Sequence, residues 1–282
     1  MTGSVAGLPQ LGRTLVMAVV NVTPDSFSDG GRFDSAEAAV KHGLALVADG
    51  ADLVDVGGES SRPGAEPVAP AEEQRRVLPV IAALAEAGVL VSVDTVRAST
   101  AELALAAGAV MVNDISGGTA DPDLPHLVAD RGVPYVLMHS RGPSATMQQR
   151  ADYDDVVVDV MRELAERLDA VVAAGVSADR VVLDPGIGFA KAPEHSWRLL
   201  AALARLHALG RPLLVGASRK SFLGALLAGP DGIARPVGDR DDASLAVAAI
   251  AARDGAWAVR VHEARPAADA VRVAARLRDS HA

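Results

Sequence analysis

Arg260 and His262 stand two residues apart after an apolar run, so on a continuing strand they face the same way. A guanidinium offers paired donors and an imidazole adds another, a combination suited to a phosphate or diphosphate. Arg62 lies in Gly57-Gly58-Glu59-Ser60-Ser61-Arg62-Pro63-Gly64-Ala65, a loop of glycines, hydroxyls, one Arg and a Pro. Asn21 opens a second such loop, Asn21-Val22-Thr23-Pro24-Asp25-Ser26-Phe27-Ser28-Asp29-Gly30-Gly31. A plain connection has little use for Phe27 among so many acids and hydroxyls, so the stretch reads as an active-site loop. The Asn21 carbonyl oxygen suits Mg²⁺, which takes one or two protein ligands and completes its shell with phosphate oxygens and water.

Asp94, Asn113, Asp184 and Lys220 suggest a second ligand part, neutral but heavily polar. A buried carboxylate accepts two hydrogen bonds side by side, as an amino-substituted pyrimidine ring would offer, and an amide adds a donor and an acceptor. The Lys donates to a ring carbonyl. A site of this kind rejects analogues lacking the matching edge, because its own polar groups are left unpaired. Gly186, Gly188 and Gly216 would let a flat ring approach the backbone. Asp or Asn after a strand is equally at home as a loop former or helix N-cap. Lys220, Arg260 and His262 are not capping residues and fit that reading poorly.

Eight short apolar runs lead into these residues: 15–20, 53–56, 89–93, 110–112, 133–138, 181–183, 213–215 and 257–261. Ala-rich segments alternate with them near 35–50, 71–87, 97–107, 122–131, 152–175, 193–209, 219–228 with 241–253, and 266–278. Alternating strands and helices predict right-handed βαβ units and a parallel sheet, and continuous apolar strands predict burial on both faces. About eight units in one chain fit an α/β fold of the (β/α)8 TIM-barrel type, whose active site lies at the C-terminal strand ends. That rim would collect Asn21, Asp55, Asp94, Asn113-Asp114, His139, Asp184, Gly216 to Lys220, Arg260 and His262. No linker or charge block divides residues 1–282, so one domain is expected, with 1–13 as a short or poorly ordered lead-in.

Half of the 282 residues are hydrophobic but only 3% are aromatic, so the core must be built from Ala, Val and Leu. A net charge of −9, from 27 basic and 36 acidic residues, argues against nucleic-acid binding through a global basic field. Any anion must be held by a local positive cluster. The absence of Cys excludes disulfides and thiolate metal sites. Met1 to Gln10 lacks a secretion-signal pattern, and no apolar run is long enough to span a membrane.

Together these motifs resemble dihydropteroate synthase. The resemblance rests on the two loops, Asp94-Thr95, Asn113-Asp114, Leu137-Met138-His139, Leu183-Asp184-Pro185-Gly186-Ile187-Gly188-Phe189, Gly216-Ala217-Ser218-Arg219-Lys220-Ser221 and Arg260-Val261-His262. It runs from about Val16 to the C-terminus. It implies a cytoplasmic, homodimeric, Mg²⁺-assisted transferase of folate biosynthesis and a sulfonamide target. Such an enzyme joins 6-hydroxymethyl-7,8-dihydropterin diphosphate to 4-aminobenzoate and releases diphosphate. Carried over by motif, Asp94, Asn113, Asp184 and Lys220 hold the pterin, Ile115, Met138 and Phe189 line it, and Gly216 lies close by. Arg260 stacks on the ring and reaches the diphosphate, which His262, Asn21 and Ser61 also hold, with the metal on Asn21. Phe27, Ser61, Arg62, Pro63, Lys220 and Ser221 form the aminobenzoate subsite. Ser61 stands where many relatives carry Thr.

Three other readings share parts of this pattern. A methyltetrahydrofolate:corrinoid methyltransferase would use similar Asp and Asn residues but has no need of Ser61, Arg62, Arg260 and His262. A Schiff-base aldolase would use Lys220 covalently. An inactive pterin-binding relative would show eroded loops, and both are intact here.

Overall fold

The computed structural model describes residues 3–23, 32–60, 64–65 and 67–280. The short β-branched runs form eight strands. They are β1 (Leu15–Asn21), β2 (Leu53–Gly57), β3 (Val91–Asp94), β4 (Met111–Asp114), β5 (Tyr135–Met138), β6 (Val181–Asp184), β7 (Leu214–Val215) and β8 (Ala258–Val261). All pair in parallel, in the order β6-β5-β4-β3-β2-β1-β8-β7. A parallel bridge between Leu183 and Leu213, with Leu183 N–H donating to the Pro212 carbonyl at 2.9 Å, joins the two ends. The sheet is therefore a nearly closed barrel.

Around it run α1 (Arg32–Ala48), α2 (Pro70–Glu86), α3 (Ala98–Ala106), α4 (Asp123–Arg131), α5 (Val156–Ala173), α6 (Pro193–Ala201), α7 (Leu203–Leu206), α8 (Ser221–Leu226), α9 (Asp241–Arg253) and α10 (Ala264–Asp279). Local chemistry sets their limits. Asp155 accepts from the N–H groups of Val157 and Val158 and so caps α5, which starts four residues later than the apolar pattern alone predicts. Gly132, at φ 61°, takes the left-handed turn that ends α4. The predicted helix at 193–209 is broken at Ala202 (φ −105°), where α6 gives way to the single turn of α7. On α10 the buried face is Ala264, Ala267, Ala268, Val271 and Ala274, small residues that let the helix lie close against its neighbours.

Side chains alternate along each strand, and this alternation builds the site. Met17, Leu53, Met111, Val136, Val182, Leu214 and Ala258 form one apolar cluster inside the barrel. Two residues further along the same strands come Val19, Asp55, Asn113, Met138, Asp184, Gly216 and Arg260. One step of the pleat thus changes the barrel interior from a dry floor to a polar layer. Val5, Leu8 and Trp257 close the floor from below, so the lead-in packs into the cluster. The in-between residues, such as Val54, Val56, Val91, Val93 and Val112, face the helices in a separate and larger core.

Candidate active site

Arg260 lies at the centre of the polar layer. Its Nε donates to Asp55 Oδ2 and its Nη2 to Asp94 Oδ2, both at 2.7 Å, while Asn113 Nδ2 donates to the same Asp55 oxygen at 2.8 Å. These residues come from β8, β2, β3 and β4, and the strand register sets Gly57 beside Asp94 and Asp94 beside Asn113. Asp55 is fully buried, and its second oxygen has no partner among the described residues. One guanidinium between two carboxylates offsets the cost of burying them, which would otherwise be several kcal/mol per ion.

Around Gly216 the site turns to its other side. A methyl group on Gly216 would lie 3.7 Å from Arg260 Cβ, 3.8 Å from Asp184 Oδ2 and 3.9 Å from Lys220 Nζ. Asp184, Lys220 and Arg260 therefore converge on a position that only a small residue leaves open. Asp184 Oδ1 accepts from the Gly186 N–H at 2.7 Å. Lys220 donates to the Ile187 carbonyl, with its Nζ 4.5 Å from the centre of the Phe189 ring. Phe189, Met138 and Ala190, with Ile115 beside them, form a small apolar wall.

Burial dominates the titration of these groups. It pushes the Asp94 carboxyl up to about 7, against the pull of Arg260 and with the help of Asp55. It raises Asp184 as well, opposed by Lys220. It lowers the Lys220 ammonium to about 8, opposed by Asp184 and assisted by Arg260. The cluster thus pairs acids that resist ionising with a cation that gives up its proton unusually readily.

His262 follows β8, and its Nδ1 lies 2.9 Å from Ser218 Oγ. Ser218 and the two residues after it form a turn in which Arg219 is left-handed (φ 59°). Its guanidinium points outward to Asp241 at 2.7 and 2.8 Å and to Glu263 at 2.7 Å, leaving Lys220 to face inward. Ser221 opens α8 and is exposed. Asn21 ends β1 opposite Gly57. Among the described residues no group of three or more His, Cys, Asp or Glu side chains could hold a metal. A site with a single amide oxygen fits an ion that keeps most of its shell for water and ligand oxygens, as Mg²⁺ does.

Asp94, Asn113, Asp184, Gly216, Lys220 and Arg260 are brought together as expected, and Ile115, Met138 and Phe189 make one wall. Phe27, Ser61, Arg62 and Pro63 lie outside the described residues. Asp114 and His139, expected on the same rim, turn away from it. Asp114 accepts from Ser116, Gly118 and Tyr135, and His139 meets Glu163 and Lys191. Each follows an inward-facing residue by one position, so the pleat sends it to the opposite face. Asp55 and Ser218, also expected on the rim, lie in it, Asp55 against Arg260 and Asn113 and Ser218 against His262. Met147 and Lys191 were not singled out by sequence, because their places depend on contacts between distant loops. At the base of the loop that begins at Gly57, Arg97 donates to Glu59, to the buried Glu73 and to the Val68 carbonyl, tying Glu59 to Val68.

A barrel whose rim presents acids, an amide, a Lys and an Arg around an aromatic wall belongs to the pterin-binding enzymes. The family model described as "Pterin binding enzyme" matches residues 17–262. Dihydropteroate synthase of Mycobacterium leprae is 53% identical over 259 residues, 92% of this chain and 91% of that one. The Xanthomonas albilineans dihydropteroate synthase solved with 4-aminobenzoic acid has a TM-score of 0.87 at 44% identity, over 94% of this chain and 93% of that one. A dihydropteroate synthase from the same organism in complex with 7,8-dihydropteroate has a TM-score of 0.85 at 41% identity, over 97% of both chains. The chain belongs to the dihydropteroate synthase family.

Proposed function

We infer that this protein transfers the dihydropterin-methyl group of 6-hydroxymethyl-7,8-dihydropterin diphosphate to 4-aminobenzoate, giving 7,8-dihydropteroate and diphosphate. The observation that carries the reading is the polar layer itself, in which Arg260 meets Asp94 and the Asp55–Asn113 pair on one side and Asp184 and Lys220, beside Gly216, on the other. Relatives solved with 4-aminobenzoic acid and with 7,8-dihydropteroate support it.

On this reading Asp94, Asn113, Asp184 and Lys220 hold the pterin edge, and Ile115, Met138 and Phe189 line the ring. Arg260 has two carboxylates to leave and a larger anion to meet. As the pterin takes over Asp94, the guanidinium turns toward the diphosphate, joined by His262, Asn21 and Ser61. Phe27, Ser61, Arg62, Pro63, Lys220 and Ser221 receive the aminobenzoate. Mg²⁺, held by Asn21, supplies charge neutralisation on the diphosphate when bound. The bond that breaks joins the pterin methylene to a diphosphate oxygen, and the bond that forms joins it to the arylamine nitrogen, which releases a proton. Donors that bind the departing anion more tightly than the ester lower the barrier. Departure precedes attack, and positional isotope exchange within the diphosphate under turnover conditions checks this; its absence would overturn that order.

The reading includes a cytoplasmic homodimer. Support for the dimer comes from exposed aliphatics carried by α8 to α10 and the segment between them: Leu226, Ile233, Ile250, Val273 and Leu277. Sedimentation velocity at micromolar protein reads the assembly directly. The function is tested by diphosphate release. It should need Mg²⁺, the pterin diphosphate and 4-aminobenzoate together, with 7,8-dihydropteroate as the product. Tight pterin binding without turnover would mark an inactive binder instead.

A further inference from the structure

The turn after β6 carries Phe189 and follows directly on Asp184, and its backbone is held to an unusual degree. Gly186 (φ 65°), Gly188 (φ 81°) and the non-glycine Ala190 (φ 50°) all lie in the left-handed region. Ala190 is there without the freedom that glycine has, so surrounding contacts must hold it. Four successive carbonyls in this turn each accept a side-chain hydrogen bond. Ile187 takes Lys220 Nζ; Gly188 takes Gln148 Nε2 at 2.9 Å; Phe189 takes Lys191 Nζ at 2.9 Å; and Ala190 takes the Tyr153 hydroxyl at 3.0 Å. A methyl group on Gly186 would fall 1.9 Å from the His139 carbonyl oxygen, so β5 presses on the turn from behind.

Lys191 is the buried member of the set, with 4% of its surface exposed. Its second partner is His139 Nδ1 at 3.0 Å, and His139 Nε2 lies 2.9 Å from Glu163. The imidazole that best serves both neighbours is neutral, donating to Glu163 and accepting from Lys191. Burial lowers the Lys191 ammonium, whose Nζ donates to both acceptors it meets, His139 Nδ1 and the Phe189 carbonyl. Arg141 completes the shell, its guanidinium 3.8 Å from the centre of the Tyr153 ring. Met147, on the same loop as Gln148, packs into the wall with Met138, Phe189 and Ala190.

We propose that Lys191, Tyr153 and Gln148 are positioning residues for the pterin subsite, holding the Gly188–Ala190 carbonyls so that Phe189 and Asp184 keep the geometry the ring needs. Of these, Gln148 and Tyr153 come from the connection between β5 and α5, so that loop belongs to the pterin wall. The inference rests on the transferase reading given above. None of the three needs to touch the pterin.

The test measures the dissociation constant of 6-hydroxymethyl-7,8-dihydropterin diphosphate by calorimetry, the KM for 4-aminobenzoate at saturating pterin diphosphate, and the thermal midpoint. Tyr153→Phe keeps the ring and removes one hydrogen bond. It should weaken pterin diphosphate binding by about threefold to tenfold, the size expected for one lost hydrogen bond. Gln148→Leu, at an exposed position, should have a smaller effect, and Lys191→Met the largest. In each case the aminobenzoate KM should stay within twofold of wild type. A lower thermal midpoint with unchanged pterin affinity would reduce the three residues to a structural role and overturn the proposal, as would parallel rises in both constants. If Lys191→Met fails to fold, Tyr153→Phe with Gln148→Leu carries the test. A wild-type protein that binds no pterin diphosphate would sink the functional reading; a working wild type with unaffected variants sinks only this inference.

Discussion

Asp94 and Lys220 are both buried, and burial brings their titrations together, the carboxyl rising to about 7 and the ammonium falling to about 8. In their proposed roles Asp94 must be ionised to accept from the pterin, and Lys220 must be protonated to donate to it. The pterin-diphosphate kcat/KM, which reports the free enzyme, should therefore rise with pH through about 7 and fall above about 8. Lys220→Arg should retain part of the activity and lose the falling limb, because a guanidinium stays charged throughout that range. A profile that stays flat from well below the first value to well above the second would separate these groups from catalysis. The residue types of this pair were legible in the sequence: Lys220 is not a capping residue, and Asp94, though equally at home as a cap or loop former, stands at a strand end. Their surroundings were not. That Arg260 bridges Asp55 and Asp94, across 205 and 166 positions of the chain, follows from strands β2, β3 and β8 sharing one rim.

At the scale of the element, the two-residue period of the strand decides which polar group serves which face. Asn113 and Met138 point into the barrel, while Asp114 and His139, one position on, are locked into contacts behind it. Burial, with Lys191 assisting and Glu163 opposing, lowers His139 to about 3, well below its ordinary 6.5. Hydrogen bonds from His139 and Arg141 outweigh the burial of Glu163 and lower its carboxyl too. Both shifts act in the same direction. For each group the unfolded chain takes up a proton before the folded one does, so stability present at neutral pH is lost as pH falls, for His139 between 6.5 and about 3. The thermal midpoint should drop between pH 7 and 5, by an amount on the order of 4 °C from His139 alone. His139→Asn should start from a lower midpoint and lose less over the same interval. An equal loss in both proteins would assign the acid sensitivity elsewhere. The sequence showed His139 at a strand end but not its direction, because the strand's start was uncertain by two residues and a shift of one reverses every side chain.

Across the whole molecule, the barrel separates the contacts that hold the fold together from those that bind ligand. The floor of Met17, Leu53, Met111, Val136, Val182 and Leu214 lies one pleat below the polar layer and makes no polar contact with it. Met111→Ala should cost about 2–5 kcal/mol, lowering the thermal midpoint by several degrees. At 25 °C it should leave both substrate KM values within twofold of wild type. A matching rise in the pterin KM would show that the floor transmits strain to the rim.

Sequence alone was enough to determine the alternation of eight apolar runs with Ala-rich helices, hence the barrel. It also identified the chemistry of the rim, because Asp94, Asn113, Asp184, Lys220 and the Arg260–His262 pair lie at or just beyond the ends of different strands. Only the tertiary structure decided which neighbour faces inward, that Arg260 is clamped by two acids, and that the turn after β6 takes its support from a loop 40 residues earlier. The reason is physical. Spacing along a strand reports position on that strand's face, whereas contacts between strands and loops depend on the register and closure of the barrel, which no single segment contains.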